Sequence, residues 1–513
     1  MSTIIQNKKY LKTKSIISFI IAPVISLVII LFADLQPGQP AVTRTLAVAF
    51  LMAIWWITEA VPLAVTSLLP VALFPILGIM DMKIVSATYF NSVIFLFMGG
   101  FIIALAMQKW NLHRRIALQI LMITGVSPGR ILLGFMLATA FLSMWMSNTA
   151  TAMMMMPILI SVIYKLEEAI GENPVKDYSV GLLLGVAYGA SIGGIATLVG
   201  TPPNLSFVRI FHIYFPNAPE ISFASWLLFA FPIAVLIFIS TWLLLHFMYR
   251  PQKHHWVNIH KHTFRDQLHE LGKMSFEEKI VLIDFILVAF LWVFRVDLNF
   301  GWVKISGWSN LFPNSSFLDD GTVAVFMAVL LFVVPAKTAK NTRIMDWDTA
   351  SKIPWHIILL FGGGFALASG IKESGLSGWF GEQMIFVADY SPIIVILCIA
   401  LLMTFVTELT SNTATTEMIL PILAGIAIST NTNPLLFMLP ATLSASMAFM
   451  LPVATPPNAI VFGTGRITVF QMAKTGILLN LIGAVIITVM TYLLGTFVFD
   501  IKMDEFPIWA IQK

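Results

Sequence analysis

Two short polar segments occur twice in this chain, and their side chains are of the kinds that bind small ions. Ser-Asn-Thr-Ala-Thr stands at 147–151 and again at 411–415, and Thr-Pro-Pro-Asn follows each copy, at 201–204 and at 455–458. We call the first pair the Asn boxes and the second pair the Pro breaks. Hydroxyl and amide groups can coordinate a cation through oxygen or donate hydrogen bonds to an anion. The duplication therefore suggests a solute site at the seam between two repeats.

All four segments lie among long apolar runs. Of the 513 residues, 58% are hydrophobic and 11% are charged, whereas soluble domains contain about 25% charged residues. We predict an all-α polytopic membrane protein. Runs long enough, or nearly so, to cross about 30 Å of hydrocarbon as helices lie at 15–33, 46–79, 181–201, 226–248, 280–294 and 476–499.

The basic residues form clusters, which the positive-inside rule assigns to the cytoplasm. The N-terminal tail, with Lys8, Lys9, Lys12 and Lys14, is therefore predicted to be cytoplasmic, and these clusters are not interpreted as a nucleic-acid surface. The segment 250–279 is predicted to be an amphipathic helix on the cytoplasmic membrane surface. It contains five histidines, for which metal binding is the less favoured alternative: His254, His255, His260, His262 and His269.

The repeat extends beyond the boxes. Gly-Gly-Phe at 99–101 and at 363–365 shares one offset of 264 with the Asn boxes, without a gap. The connector at 109–115 has three basic residues and no acid, while its counterpart at 371–383 has one lysine and two glutamates. If basic connectors are cytoplasmic, the two connectors lie on opposite sides of the membrane. The repeats are therefore predicted to be inverted.

Each Asn box interrupts an apolar stretch that begins with Ser-Pro. Either a single span is broken in its middle, or the chain forms a re-entrant hairpin with the box at its tip; we favour the hairpin, because Asn and Thr tolerate tight turns. Each Pro break must also interrupt a helix, since proline lacks a backbone donor. Irregular backbone at membrane depth requires cover by protein or a wet cavity.

The boxes and breaks together offer a mixed set of ligands. Free carbonyls at helix ends and side-chain oxygens suit a dehydrated cation, while free N–H groups and amides suit a carboxylate. The alternative is that these side chains only hydrogen-bond neighbouring helices. Glu417, an acid at hydrophobic depth where the first repeat has Met153, is a functional candidate; a partner for a nearby polar group is its alternative.

The paired boxes and breaks resemble the signature of the divalent anion–sodium symporter family, which transports dicarboxylates, citrate and sulfate. Ile-Thr-Glu-Ala-Val-Pro at 57–62 and Lys-Trp-Asn-Leu-His-Arg-Arg at 109–115 are similar to the family as well. The resemblance covers roughly 40 to 500 and implies eleven spanning helices, two re-entrant hairpins, a scaffold domain that forms a homodimer, and a transport domain that moves as an elevator. It also implies sodium as coupling ion.

The resemblance implies particular site residues. The first sodium ion would bind Ser143, Ser147, Asn148 and the backbone around Gly200. The second would bind Thr407, Thr410, Asn412 and the backbone around Ala454. The substrate carboxylates would contact Asn148, Thr149, Thr201, Asn412, Thr413, Thr455 and Pro456.

The resemblance also divides the chain into transport and scaffold segments. Residues 1–90 form the cytoplasmic tail and scaffold helices, and 223–355 form further scaffold helices. Residues 91–222 and 356–474 form the transport elements of the two repeats, and 475–513 the last helix and C-terminus.

The predicted activity is sodium-coupled import of C4-dicarboxylates such as succinate, malate or fumarate across the cell membrane. A sodium-independent exchanger, or a carrier of citrate or sulfate, is the alternative. An ion channel is disfavoured because the sequence shows neither charge rings nor a carbonyl filter. A membrane enzyme is disfavoured because the sequence offers no nucleophile or acid–base pair at membrane depth.

Overall fold

Helices make up nearly all of the regular structure of this chain. The computed structural model describes residues 2–251, 262–299, 303–338, 342–502 and 505–511, of which 2–16, 262 and 263 are described by their backbone alone. Several residues of the sequence predictions therefore lie outside the described part of the structure. These are the side chains of Lys8, Lys9, Lys12, Lys14 and His262, and all of His254, His255 and His260. Residues 252–261 of the predicted amphipathic segment 250–279 lie outside it as well.

The N-terminal part is a long helix, apolar over Ile17–Phe32, followed by four shorter helices. Proline is favourable at the first position of α2, because an N–H at that position would have no helical acceptor. The elements are α1 (Ser2–Phe32), α2 (Pro40–Thr58), α3 (Leu63–Thr66), α4 (Leu69–Ile76) and α5 (Met82–Ala87).

The two repeats have the same order of helices. Ser127-Pro128 and Ser391-Pro392 begin equivalent helices in the two repeats, with proline again at the first helical position. The first repeat comprises α6 (Ser92–Lys109), α7 (Leu112–Thr124), α8 (Pro128–Ser143), α9 (Asn148–Ile170), α10 (Glu172–Ile195) and α11 (Pro202–Tyr214).

Between the repeats lie helices with an antiparallel pair of two-residue strands. The elements are α12 (Phe223–Met248), α13 (His262–Glu270), α14 (Phe276–Val293), β1 (Leu298–Asn299), β2 (Lys304–Ile305), α15 (Asp320–Val333) and α16 (Trp347–Ala350). The second repeat and last helix are α17 (Trp355–Glu373), α18 (Leu376–Gln383), α19 (Pro392–Thr407), α20 (Asn412–Ser429), α21 (Leu435–Ser444), α22 (Pro456–Phe462) and α23 (Val469–Phe499).

Seven of the helices among the described residues are long and apolar enough to cross a membrane, and six shorter apolar helices accompany them. The most hydrophobic of the seven is α12, and only 33% of its apolar stretch is buried within the protein. Such a helix belongs in lipid or against another apolar surface. The all-α polytopic class is therefore confirmed, while the number of eleven spans stays a prediction.

Helices α8 and α10 run in parallel and pack closely. A Cβ atom at Gly185 would lie 2.8 Å from Leu132, and one at Gly193 would lie 2.2 Å from the carbonyl oxygen of Ala140. The later residue of α8 contacts the later residue of α10, so the two helices run in the same direction. Any side chain at Gly193 would collide with backbone, so this approach requires glycine.

Helix α9 runs against α10, to which Gly171 joins it directly. A Cβ atom at Gly194, near the end of α10, would lie 2.6 Å from Oδ1 of Asn148 at the start of α9. Since α8 is parallel to α10 and α9 is antiparallel to it, the chain reverses between α8 and α9. The structure thus has the hairpin with the first Asn box at its tip, and not the broken single span.

The ends of α23 mark two opposite faces of the molecule. Arg466, shortly before α23, forms an ion pair with Glu167 near the end of α9. Trp509, beyond the other end of α23, packs against Phe211 and Phe215 at the end of α11. We call these ends the Arg466 face and the Trp509 face. Helix α9 runs to the first and α11 to the second.

Helix α20 runs to the Trp509 face. Ser377 lies near the Tyr214 hydroxyl at the end of α11, and a Cβ atom at Gly425, late in α20, would lie 2.2 Å from the Ser377 carbonyl oxygen. The late part of α20 therefore lies beside the end of α11. Helices α9 and α20, which carry equivalent Asn boxes, run to opposite faces, and this is the geometry of inverted repeats.

Candidate functional site

The first Asn box forms the tip of the α8–α9 hairpin. Ser147 is the N-cap of α9, and its hydroxyl accepts a hydrogen bond from the N–H of Ala150 at 3.2 Å. This cap satisfies one of the N–H groups that have no helical acceptor. Ser143, at the end of α8, donates from Oγ to Oδ1 of Asn148 at 2.7 Å. The box thus ties both arms of the hairpin together at its tip.

The tip lies against the end of α10, where the first Pro break begins. A Cβ atom at Gly200 would lie 2.5 Å from the Gly194 carbonyl oxygen and 3.0 Å from the Ser143 carbonyl oxygen. Gly194 in turn lies against Asn148. The structure therefore brings together Ser143, Asn148 and Gly200, three of the residues expected at the first sodium site. Their oxygen atoms are the donor type that hard cations prefer.

The first Pro break is stabilised by Asn204. Its buried amide nitrogen donates to the carbonyl oxygens of Gly194 at 3.2 Å and Thr197 at 2.7 Å. These carbonyls lie at and just beyond the end of α10, where the helical hydrogen bonds stop; the Thr197 carbonyl also accepts from the N–H of Gly200 at 3.4 Å. Thr201 is buried and is the N-cap residue of α11, with extended backbone and no side-chain cap. Because Pro202 and Pro203 have no N–H, the first helical N–H is that of Asn204, which donates to the Thr201 carbonyl oxygen at 3.3 Å.

The second Asn box repeats the contact between a helix-terminal hydroxyl and the asparagine, with Thr407 in place of Ser143, but Ser411 makes no side-chain cap on α20. Thr407 donates from Oγ1 to Oδ1 of Asn412, 2.8 Å away, and also lies 2.8 Å from the carbonyl oxygen of Ala445. Thr410 instead donates to Val406 at 3.0 Å. The hydrogen bonds of the described residues join Thr407 to Asn412, as Ser143 is joined to Asn148. They do not join this pair to Thr410 or Ala454.

The second Pro break has the same amide anchor. Asn458 donates from Nδ2 to the carbonyl oxygens of Ala448 and Leu451, each at 3.0 Å. Ala454 donates its N–H to Leu451 at 3.2 Å. Thr455 accepts from the N–H of Asn458 at 3.3 Å and so caps α22.

The remaining substrate candidates differ in exposure. Thr413 is buried, with 6% exposed, whereas Thr149 is half-buried and Pro456 is exposed. Pro456 and Pro202 are equivalent first residues of α22 and α11.

Glu408 is a functional candidate that the sequence analysis missed. Its carboxylate accepts hydrogen bonds from the N–H groups of Phe449 at 2.7 Å, Met450 at 2.8 Å and Leu451 at 3.0 Å, and from the Asn480 amide at 2.7 Å. This buried acid therefore supports the non-helical backbone before the second Pro break. An acid at hydrophobic depth directly after Thr407 was the signal that could have revealed it.

The two repeats cross at the centre of the molecule. Helix α11 of the first repeat packs against α20 of the second, and α22 of the second packs against α9 of the first. Ser206 of α11 donates to Oε1 of Glu417 at 2.5 Å, and Tyr188 of α10 donates to the Phe449 carbonyl oxygen at 2.8 Å. Each Pro break therefore begins a helix that packs against the box-bearing helix of the opposite repeat. We call the two Asn boxes and the two Pro breaks together the central region.

A cavity opens at each face. The one at the Arg466 face has a volume of 490 Å³ and includes Arg114, Pro157 and Lys165. The other, of 520 Å³, includes Leu198 beside the first Pro break and Arg209 of α11. Neither the Asn boxes nor the Pro breaks contain an arginine or lysine, so these four segments supply no permanent positive charge. An anion there must be held by neutral donors, helix N-termini or bound cations.

Two inverted hairpins with polar tips, packed against broken helices in a polytopic helical protein, define a secondary transporter. The family model described as "Sodium:sulfate symporter transmembrane region" matches residues 13–501. The chain belongs to this family. The predicted family and the prediction that the protein is a transporter and not an enzyme are thus confirmed.

Curated relatives agree with this assignment over nearly the whole chain. The chain is 42% identical over 507 residues to the sodium-dependent dicarboxylate transporter SdcS of Staphylococcus saprophyticus, covering 98% of this chain and 95% of that protein. The SdcS protein of Staphylococcus aureus gives the same identity and the same coverage.

Two solved structures share the fold. The YdaH transporter of Alcanivorax borkumensis superposes with a TM-score of 0.52 at 12% identity, covering 80% of this chain and 85% of that one. MtrF of Neisseria gonorrhoeae superposes with a TM-score of 0.53 at 11% identity, with coverages of 80% and 82%. At such identities the likeness concerns the fold alone.

Proposed function

We propose that this protein is a secondary active transporter that imports C4-dicarboxylates, such as succinate, malate or fumarate, together with sodium ions. The observation that carries the proposal is the inverted pair of Asn boxes, each joined to a helix-terminal hydroxyl and each close to a Pro break. The relatives named sodium-dependent dicarboxylate transporters support the substrate and the coupling ion.

The substrate's two carboxylates are bound by the two halves of the central region. Asn148 and Thr149 serve one carboxylate and Asn412 and Thr413 the other, with Thr201, Thr455 and Pro456 beside them at the starts of α11 and α22. Amide and hydroxyl donors bind a carboxylate more weakly than a paired arginine does. Weak binding suits a carrier, because it must release its substrate.

Sodium ions supply the positive charge that the central region lacks. One ion binds oxygens of Ser143, Ser147, Asn148 and the backbone near Gly200. The second binds Thr407, Asn412 and the backbone near Thr410 and Ala454. Neutralising a dianion in this way lowers the cost of moving it through a medium of low dielectric constant.

The remaining assignments follow the same family pattern. The boxes and breaks of 91–222 and 356–474 form a transport domain that moves as an elevator against scaffold helices from 1–90 and 223–355, and a second copy of the chain pairs through the scaffold. The Arg466 face is cytoplasmic, since it holds Arg114, Lys165 and Arg466. The N-terminus lies in the cytoplasm and the protein in the cell membrane.

Uptake of labelled succinate into proteoliposomes tests this function. With an inward sodium gradient, succinate will accumulate above its equilibrium level, and replacing sodium by choline will abolish the accumulation. The matched control is the same protein with sodium equal on both sides. Accumulation that ignores sodium but requires dicarboxylate inside the vesicle would instead establish an exchanger on the same scaffold. Uptake of sulfate or citrate but not of succinate would show that the protein does not transport C4-dicarboxylates.

A further inference from the structure

Equivalent surfaces of the two repeats differ in this structure, and the first is open. His113 and Ala117 of α7, together with Ser161 and Lys165 of α9, line the 490 Å³ cavity at the Arg466 face. The exposed face of α9 thus borders a space large enough for water and small solutes. We call this surface the first hairpin face.

The equivalent surface of the second repeat is closed. The four counterparts at the offset of 264 are Ser377 and Gly381 of α18, and Gly425 and Ser429 of α20. A Cβ atom at Gly381 would lie 2.1 Å from Ser429 Oγ, and one at Gly425 would lie 2.2 Å from the Ser377 carbonyl oxygen. The second hairpin face is therefore packed against its connector without space for solvent.

The largest chemical difference between these faces is at one pair of positions. Met153 of the first repeat is 55% exposed, and its neighbours Met154 and Met155 line the cavity together with Pro157. Its counterpart Glu417 is 0% exposed. The acid is thus in the closed repeat, and the apolar residue is in the open one.

Glu417 has a single hydrogen-bond partner among the described residues. Ser206 donates to Oε1 at 2.5 Å, whereas Oε2 is buried without a partner. A Cβ atom at Gly364 of α17 would lie 2.1 Å from Oε2, so the carboxyl group fills the space that this glycine leaves. An ionised carboxylate with one neutral donor in an apolar interior is strongly disfavoured, and such groups take up a proton instead.

The surrounding helices provide no ion pair for this carboxyl group. Helices α2, α11, α17, α18, α19 and α21 pack on α20, and among described residues none of their charged or titratable side chains forms an ion pair or hydrogen bond with Glu417. These side chains are Arg44, Arg209, His212, Tyr214, His356, Lys372, Glu373, Glu382 and Cys398.

We propose that Glu417 is a proton-binding site: its carboxyl group holds a proton in the conformation seen here and releases it to water when the second hairpin face opens. The inference rests on the proposed transport function, because it requires a second conformation. Inverted repeats provide that conformation, since each can adopt the arrangement that the other has now. Glu417 would then have the exposure that Met153 has here, and an exposed glutamate is ionised near neutral pH.

The sign of the pH dependence follows from this exchange. The present conformation binds one more proton than the opposite one, so rising pH depletes it. For one proton the ratio of the two conformations changes by up to about tenfold per pH unit between the ionisation points of the two states. Glutamine at 417 is permanently neutral and removes this dependence. Transport in the wild-type chain will therefore be pH-dependent in a way that E417Q abolishes.

Thiol accessibility at position 153 measures this ratio directly. Cys398, which is exposed, is first replaced by serine, so that Met153→Cys introduces the single thiol. Purified protein in lipid nanodiscs is then treated with a membrane-impermeant maleimide at several pH values, with Glu417 or with E417Q in the same background. The intrinsic pH dependence of the thiol cancels in the comparison, because the thiol and its position are the same in both proteins.

The expected result is that labelling of Met153→Cys in the Glu417 protein falls relative to labelling in the E417Q protein as pH rises. A relative rate that stays constant across pH overturns the proposal. Thermal unfolding of both proteins at each pH identifies any loss of folded material. A second single-thiol protein, Glu417→Cys, will react only slowly, and more slowly than Met153→Cys; reaction as fast as at position 153 also contradicts it.

The assay needs neither succinate nor a sodium gradient. A failure of succinate uptake therefore leaves the labelling result intact, and a constant labelling ratio leaves the substrate assignment intact. The two proposals can fail independently.

Discussion

Replacing Asn148 or Asn412 with alanine will lower the rate of succinate uptake by roughly one to two orders of magnitude. Each amide oxygen accepts from the hydroxyl that ends the preceding helix, Ser143 at 2.7 Å and Thr407 at 2.8 Å, and each amide nitrogen remains for a carboxylate. Losing one hydrogen bond to a charged group costs about 1.5–3 kcal/mol, which corresponds to this loss of binding. Initial uptake rates in proteoliposomes, at equal protein content, provide the measurement.

The control for this prediction is an asparagine outside the central region. Asn310 is exposed, and its amide bonds the Asp297 carboxylate at 2.6 Å near the Trp509 face. N310A will transport at close to the wild-type rate. Thermal unfolding must show that N148A and N412A are folded. If either folded variant transports succinate at the wild-type rate, the asparagine that it lacks does not bind the substrate.

Replacing Glu408 with alanine will destabilise the protein by about 3 kcal/mol or more. The substitution strands three backbone N–H groups and the Asn480 amide, and each buried donor left without a partner costs about 1–3 kcal/mol. Because these donors hold the chain before the second Pro break, succinate binding will weaken as well. The apparent melting temperature of purified protein in detergent measures the first effect.

Two further variants sharpen this test. E408Q keeps one acceptor oxygen but places an NH2 group near one of the donors, so its melting temperature will lie between those of E408A and the wild type. E373A changes an exposed glutamate at the end of α17 and will shift stability by no more than about 0.5 kcal/mol. If E408A melts like E373A, the hydrogen bonds to Glu408 do not support the break.

Much of the local structure could be predicted from the repeated residues. Ser-Pro predicted where α8 and α19 begin, and the paired prolines predicted where α11 and α22 begin. These signals are local, because proline acts on its own backbone and on the residue before it. The inversion of the repeats was predicted from a few connector charges, and the opposite directions of α9 and α20 confirm it.

The crossing of the repeats could not be predicted in the same way. The packing of α11 on α20 depends on contacts between residues far apart in sequence, such as Ser206 and Glu417, and no periodicity within either helix encodes its partner. Nor could the sequence reveal which hairpin face is open. Ser161 and Gly425 occupy equivalent positions in two helices with similar sequences. That difference belongs to the conformation and not to the fold.

The partner of Ser143 was also a matter of tertiary structure. The spacing of Ser143 and Asn148 allowed contact across a turn, but a continuous helix would have placed them on different sides. The contact at 2.7 Å exists because the chain reverses at 144–147. The contact between the hydroxyl and the asparagine in each box thus depends on the reversal of the chain in the hairpin, and not on helix geometry alone.

Equilibrium binding of succinate to the purified protein, measured by calorimetry in sodium and in choline, shows whether sodium helps the two polar tips to hold the dianion. If two uncharged polar tips hold a dianion with the help of bound sodium, succinate will bind in sodium and at least about tenfold more weakly in choline, since the loss of one neutralising contact costs about 1.4 kcal/mol or more. Equal affinity in the two salts would show that bound sodium does not neutralise the dianion in this site.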